Sequence, residues 1–180
     1  MWDHSVADVQ IMFETDQLIH LRVTVIQLQK TFELSCIYGL NDYTQRRELW
    51  QSLRSISLTM SSTPWTVLGD FNALRKAEDG RGGAQSWPNY MDKFNDCCRD
   101  SILDDLQFSG CQLTWRKQGQ GTNALVRKLD RALSNHIWLS DFTKSEAIFL
   151  EPGASYHSPI VVKTGLPVHI RKPPFRFFNF

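Results

Sequence analysis

Asp70 and Asn72 stand two residues apart in the stretch Pro64-Trp65-Thr66-Val67-Leu68-Gly69-Asp70-Phe71-Asn72-Ala73. A carboxylate beside a carboxamide suits a phosphate or a metal-bound water: the Asp ligates or accepts a proton, and the Asn amide donates to an oxyanion. On an extended backbone residues i and i+2 point the same way, so both side chains would reach one ligand while Phe71 enters the core. The same residues also fit an Asx turn that merely closes a strand. Three other polar features could join them: Tyr38 with Asn41, Asp130 in Leu129-Asp130-Arg131, and His157 in Ser155-Tyr156-His157-Ser158-Pro159-Ile160. A histidine beside a carboxylate from another strand is the arrangement that fixes an imidazole tautomer and favours its charged form.

The elements that must position these groups are legible in the apolar periodicity. Residues 6 to 13 and 17 to 29 alternate apolar and polar around a turn at 14 to 16, which predicts two half-buried antiparallel strands. Residues 32 to 38 form a third strand, and residues 65 to 68, branched and aromatic, a buried one that Gly69 lets turn. Between them Asp42 and Gln45 make a loose capping box for a helix whose apolar stripe is Leu49, Leu53 and Ile56, with Arg46, Arg47 and Glu48 on its solvated face. The charged, Gly-rich residues 75 to 83 predict a mobile loop. Ser86 and Pro88 open a second helix with Met91, Phe94, Cys98 and Ile102 on its inner face, and Asp104 and Asp105 fall in a solvated exit turn. Residues 112 to 117 and 124 to 134 read as strands joined by a Gly-rich link. Their Arg116, Lys117, Arg127 and Lys128 form a basic projection that could track a nucleic-acid backbone, although a merely soluble hairpin has the same composition. A helical turn at 136 to 142 and strands at 146 to 150 and 158 to 163 follow, then an aromatic, basic tail from 167 to 180.

A length of 180 residues suits one domain. The formal charge of +1 excludes a global electrostatic drive toward nucleic acid, leaving local patches to supply it. No apolar run reaches membrane-spanning length, and Trp2, Asp3 and His4 stand where a signal peptide would begin, so a soluble intracellular protein of nucleus or cytoplasm is expected. Cysteines 36, 97, 98 and 111 have no zinc-ligand spacing and predict reduced, mostly buried thiols.

The ordered set Gly69-Asp70-Phe71-Asn72, Leu129-Asp130-Arg131 and Ser155-Tyr156-His157-Ser158-Pro159 resembles the endonuclease/exonuclease/phosphatase superfamily, which includes DNase I and the apurinic/apyrimidinic endonucleases. Tyr38-Gly39-Leu40-Asn41, Leu113-Thr114-Trp115 and the closing Phe175-Arg176-Phe177-Phe178-Asn179-Phe180 further resemble the endonuclease region of plant non-LTR retroelement polyproteins, in which a reverse transcriptase follows. The resemblance implies a four-layer α/β sandwich of two mainly antiparallel sheets with outer helices, here lacking the first strands and helix. Residues 1–166 would be a partial domain and residues 167–180 the start of a linker toward a missing reverse transcriptase. It further implies a monomeric Mg2+-dependent endonuclease acting on DNA. Asp70 would ligate the metal and orient the water or stabilise the leaving oxygen, Asn72 and Tyr38 would lie at the phosphate, Asp130 would orient His157, and His157 would contact the phosphate or move a proton. Two departures imply weakened or lost activity and metal binding. The family's metal-binding Glu has no counterpart, Glu14 standing in a turn after the wrong strand, and the family's Ser-Asp-His reads Ser155-Tyr156-His157. A non-catalytic remnant that at most binds nucleic acid, or a phosphomonoesterase of the same superfamily, are the alternatives.

Overall fold

The computed structural model describes residues 2–82, 92–117 and 125–166, and the structural statements below concern those residues. In chain order they form β1 (Ala7–Thr15), β2 (Leu18–Val25), β3 (Lys30–Tyr38), α1 (Arg46–Ser57), β4 (Trp65–Asp70), β5 (Gly80–Arg81), α2 (Asp92–Asp100), β6 (Asp104–Asp105), β7 (Phe108–Gly110), β8 (Trp115–Arg116), β9 (Val126–Arg127), β10 (Asp130–Ser134), α3 (His136–Asp141), β11 (Glu146–Phe149) and β12 (Ile160–Lys163).

Six strands make the main sheet in the order β1-β2-β3-β4-β10-β6. Only β3 and β4 run parallel within it, and α1 supplies the crossover that a parallel pair requires. Both faces of this sheet are covered. On one, Leu49, Trp50, Leu53 and Ile56 of α1 and Phe94, Cys97 and Cys98 of α2 pack with Ile37, Trp65, Val67 and Leu133. On the other, Val23, Val25, Phe32 and Ala132 meet Trp138, Phe142, Ala147 and Phe149. A second sheet, β12-β11-β7, walls that core, and a small third sheet, β5-β9-β8, stands near the end where β4 finishes and β10 begins. The described chain is therefore helices on sheet on sheet.

Several sequence expectations change. β1 has a neighbour on one side only, and its Ile11, Met12 and Phe13 are exposed instead of half-buried. The Asp42 capping box does not form: the Asp42 carboxylate accepts the amide and hydroxyl of Thr44, and no side chain caps α1. Arg46 leaves the solvated face altogether, buried with Nη1 donating to the carbonyls of Leu40 (2.7 Å) and Asn41 (2.9 Å). The residues 75 to 82 are held down by buried Asp79, whose carboxylate accepts the amides of Arg75 (2.8 Å) and Lys76 (3.0 Å) and ion-pairs with Arg131. Asp104 and Asp105 form β6 against β10, and Asp105 accepts from Arg131 and Arg75. Ser86, Pro88, Met91 and the 167–180 tail lie outside the described residues. All four cysteines are free, and burial pushes the thiols of Cys97 and Cys98 up to about 11 and about 12.

Ile102 does not continue the stripe of α2. Its φ is +54° and it is 68% exposed, because it is the left-handed residue of a Schellman ending: the Ile102 amide donates to Arg99 O and the Leu103 amide to Cys98 O. A β-branched side chain there is strained, and glycine is the residue that relieves it. Ile102→Gly is expected to raise stability by about 1 kcal/mol. The measurement is a urea midpoint at pH 7, and a lower midpoint would show that the side chain contributes packing.

Candidate active site

β4 ends in a corner that only glycine can pass. Gly69 has φ +138°, and a Cβ there would stand 2.1 Å from the carbonyl oxygen of Ile37 on parallel β3. Phe71 is fully buried and stacks on Phe94 (centroids 4.8 Å apart), which stacks on Trp50 (5.0 Å), so the corner is pinned to the helix-side core. The expectation of an extended Asp70-Phe71-Asn72 fails, since Asn72 is left-handed (φ +47°) and its amide donates to Asp70 Oδ1 at 2.9 Å. The Asx turn and the polar site are the same object. One Asn72 Nδ2 hydrogen is given to Gly39 O at 2.7 Å, which leaves the other for a ligand.

The next strand brings the second carboxylate. β10 pairs antiparallel with β4 so that Asp130 lies directly opposite Asp70. His157 sits between them, Nδ1 at 3.0 Å from Asp130 Oδ2 and Nε2 at 3.9 Å from Asp70 Oδ2. With Nδ1–H donating to Asp130, Nε2 is the nitrogen that faces Asp70 and the space before it. Thr114, fully buried, ties these parts together: its Oγ1 accepts the amides of Leu129 (3.1 Å) and Asp130 (3.0 Å), and its carbonyl accepts the amide of Ser158 (2.8 Å). A bridge from Trp115 to His157 completes the hold on the imidazole. In the sequence Thr114 figures only within the Leu113-Thr114-Trp115 resemblance. Its local signal is a hydroxyl between two large apolar residues at the start of a strand.

Tyr38 ends β3 in register with Asp70 and is largely exposed. Asn41, Tyr43, Arg46, Asn72, Arg127 and Leu129 line a cleft of about 230 Å³ against the same corner. Of the sequence candidates, then, Asp70, Asn72, Asp130 and His157 share one corner, with Tyr38 on its rim.

Burial raises the Asp70 carboxyl above its ordinary value, with Asp130 adding repulsion, while the Asn72 amide, His157 and Arg46 pull the other way. The Asp130 carboxyl is also raised, by burial, against hydrogen bonds from Thr114 and His157. Two carboxylates that are partly stripped of water and opposite each other are stabilised by a cation between them. Ligand atoms of Asp70, Asp130 and His157 lie within 4.8 Å of one another and could hold a divalent metal. The donors fit such an ion, with Asp70 Oδ2 as the oxygen not already taken by the backbone. Glu14 lies on β1, beyond β2 and β3 from Asp70, and Tyr156 is 53% exposed; neither joins this group.

The basic projection divides. Arg116 and Lys117 are exposed, whereas Arg127 donates through Nη1 and Nη2 to the carbonyls of Arg81, Val126 and Gly82. Residues 118–124 lie outside the described residues. Lys128 leaves the projection: it is buried, its Nζ 3.5 Å from the centroid of Phe108 and 5.6 Å from that of Phe149, because the link between β9 and β10 that carries it is held by its amide donating to Asp79 O. Burial lowers the Lys128 ammonium to about 8. A lysine whose folded value is depressed binds fewer protons than the unfolded chain, so it costs stability below about pH 8. That cost fades as pH rises toward the unfolded value near 10.4. Lys128→Met is therefore expected to raise the urea midpoint at pH 7, with the advantage shrinking by pH 10. A pH-independent difference would contradict the burial argument.

No family model matches the sequence, and no curated protein sequence matches it either. Solved structures do. The endonuclease domain of TRAS1, a telomere-specific non-LTR retrotransposon, superposes with TM-score 0.72 at 15% identity over 93% of this chain and 72% of that one. A beta toxin from Staphylococcus aureus gives TM-score 0.56 at 12% identity, over 80% of this chain and 56% of the toxin. An endonuclease/exonuclease/phosphatase from Bacteroides vulgatus gives 0.51 at 13%, over 87% of this chain and 63% of that protein. The chain has the α/β DNase I-like fold of these proteins and spans between about half and three quarters of their length.

Proposed function

Starting from a DNase I-like fold, we propose that this chain is the endonuclease region of a plant-type non-LTR retroelement and hydrolyses phosphodiester bonds in DNA at the Asp70, Asp130 and His157 corner with Mg2+. Its rate is weakened by the missing metal-binding Glu and by Tyr156 in place of a second carboxylate. One observation carries the reading: His157 stands between two aspartates paired across neighbouring strands, Nδ1 on Asp130 and Nε2 toward Asp70. The group facing Nε2 is the Asp70 carboxylate, and attack by water on a phosphate needs a base, a donor to the phosphate oxygens and a positive charge. Asp70 Oδ2 accepts the proton of the attacking water. The remaining Nδ2 hydrogen of Asn72 and, when protonated, Nε2 of His157 donate to phosphate oxygens. Asp130, held by Thr114, keeps the imidazole aimed. A divalent ion bound at Asp70 would offset the charge developing on the phosphate and on the leaving oxygen.

The test is conversion of supercoiled plasmid to open circles by purified protein with Mg2+, with and without a chelator, beside Asp70→Asn and His157→Ala. Chelator-sensitive nicking that both variants lose is the expected result. Nicking of equal rate in all three proteins would assign it to a contaminant and refute the reading.

A further inference from the structure

The turn between β1 and β2 reaches the active-site end of β3 through one buried side chain. Gln17 is 4% exposed, and its carboxamide holds both ends of the segment 40–45: Oε1 accepts the Leu40 amide at 3.0 Å and Nε2 donates to the Gln45 carbonyl at 3.1 Å. Its own backbone carbonyl accepts the Tyr38 amide at 2.9 Å. A carboxamide offers an acceptor and a donor side by side, which neither an ionised carboxylate nor an apolar side chain does. From the other side Arg46 Nη1 holds the carbonyls of Leu40 and Asn41. Asn41 and Tyr43 of this clasped segment then help to wall the cleft beside Asn72.

The clasp meets the active site in a single peptide unit. The Leu40 N–H that Gln17 accepts and the Gly39 carbonyl that receives Asn72 Nδ2 at 2.7 Å are the two ends of one planar amide. Gly39 is pressed onto the same corner, its amide donating to Asp70 O at 2.7 Å and a Cβ on it standing 2.6 Å from Phe71 O. The carboxamide of Asn72 is itself planar and turns on a soft torsion, so whatever fixes the carbonyl that takes one Nδ2 hydrogen also sets the direction of the other. We propose that Gln17 is a positioning residue: through the Gly39-Leu40 peptide it aims the second Nδ2 hydrogen of Asn72 at the phosphate. This inference rests on the phosphodiesterase reading of the Asp70 corner.

The experiment measures plasmid nicking with Mg2+ and, in chelator, the proton–nitrogen NMR correlation of the Asn72 side-chain amide. The proteins are wild type, Gln17→Met, Gln17→Glu, Asn72→Gly and the Gln17→Met, Asn72→Gly double variant, with urea midpoints to verify folding. Glycine keeps the left-handed turn at residue 72 and removes the amide. Losing that donor should lower kcat about a hundredfold. Gln17→Met, which misdirects it, should lower kcat about tenfold with KM unchanged. Gln17→Glu keeps an acceptor for Leu40 and should stay within about threefold of wild type. In the Asn72→Gly background Gln17→Met should cost less than about twofold, because the group it positions is gone. In the spectrum Gln17→Met should move the two Nδ2 protons, one bonded and one not, toward the shifts of a free carboxamide. Equal tenfold losses in both backgrounds would mark a general defect of the fold and overturn the proposal. So would a Gln17→Glu as slow as Gln17→Met, or an Asn72 amide that does not respond to Gln17→Met. The two readings fail separately. A wild type that does not nick, with an Asn72 amide that responds to Gln17→Met, refutes the nuclease alone. Nicking that Asn72→Gly slows and Gln17→Met does not refutes the positioning role alone.

Discussion

Asp70→Asn is expected to cut the nicking rate on supercoiled plasmid by at least about a hundredfold while leaving the protein no less stable. The rate follows from what is removed: the carboxylate oxygen not held by the backbone, in a position where a base or a metal contact contributes about 10²–10⁴ in rate. The stability follows from the electrostatics. Burial and the facing Asp130 both raise the Asp70 carboxyl above its ordinary value, so the folded chain carries that charge at a cost. Asparagine keeps the shape and can still accept the Asn72 amide, yet ends the repulsion. A simple structural defect would lower both readouts together, and the urea midpoint of the variant distinguishes the cases. His157→Ala should lose a similar factor. The double variant should be little worse than either single one, because groups acting on one transition state are not additive. A double variant that multiplies the two losses would show that they act separately.

Arg131→Met is expected to destabilise the fold by about 3–5 kcal/mol, the range for removing one partner of a buried ion pair. Arg131 is 1% exposed on β10 and donates to Asp79, itself 2% exposed, and to both oxygens of Asp105 at 2.8 and 3.0 Å. Without it Asp79 keeps two backbone amides and, among the described residues, no ion-pair partner, with Lys128 only in electrostatic reach, and Asp105 keeps Arg75 at 2.9 Å. Although burial raises the Asp105 carboxyl, the charge and hydrogen bonds of Arg131 outweigh it and hold the group below its ordinary value. A depressed carboxylate contributes stability above the unfolded value near 3.9 and loses it as pH falls through the folded one. The difference between wild type and Arg131→Met should therefore be fully present at pH 7 and narrow on acidification below about pH 4. Urea unfolding at both pH values measures it. A loss under 1 kcal/mol at pH 7 would mean that water or a rearranged Arg75 takes over.

Much of this architecture can be read from residue order, for reasons that differ by element. The strands around Asp70 and Asp130 are branched, aromatic and closed by polar corners, and α1 shows a clean stripe of Leu49, Leu53 and Ile56, so local pattern and final packing agree. The convergence of Asp70, Asp130 and His157 is a long-range fact that spacing alone does not contain. It became legible through the resemblance of three separated motifs. What stayed hidden are the charges that fold inward. Arg46, Asp79, Lys128 and Arg131 look like surface in any window of sequence, and each is buried because its partner is distant in the chain or because carbonyls or aromatic rings receive it. Ile102 misled in the opposite sense: its helical spacing is real, but the backbone has already turned left-handed by the time it arrives.

The pairing of Asp70 with Asp130 across a sheet also governs how this site can decay or be remade. Residue 131, the next rung of the same ladder, is a structural arginine. One inserted or deleted codon within β10 would offer Arg131 or Leu129 to the corner and turn a carboxylate toward the helices, since a slip of one residue exchanges the two faces of a strand. Point substitutions can silence the chemistry and spare the fold, whereas a change of reading length here strikes both at once. Descendants of this gene that keep the fold are thus bound to keep the length of β10, whether or not they still cut.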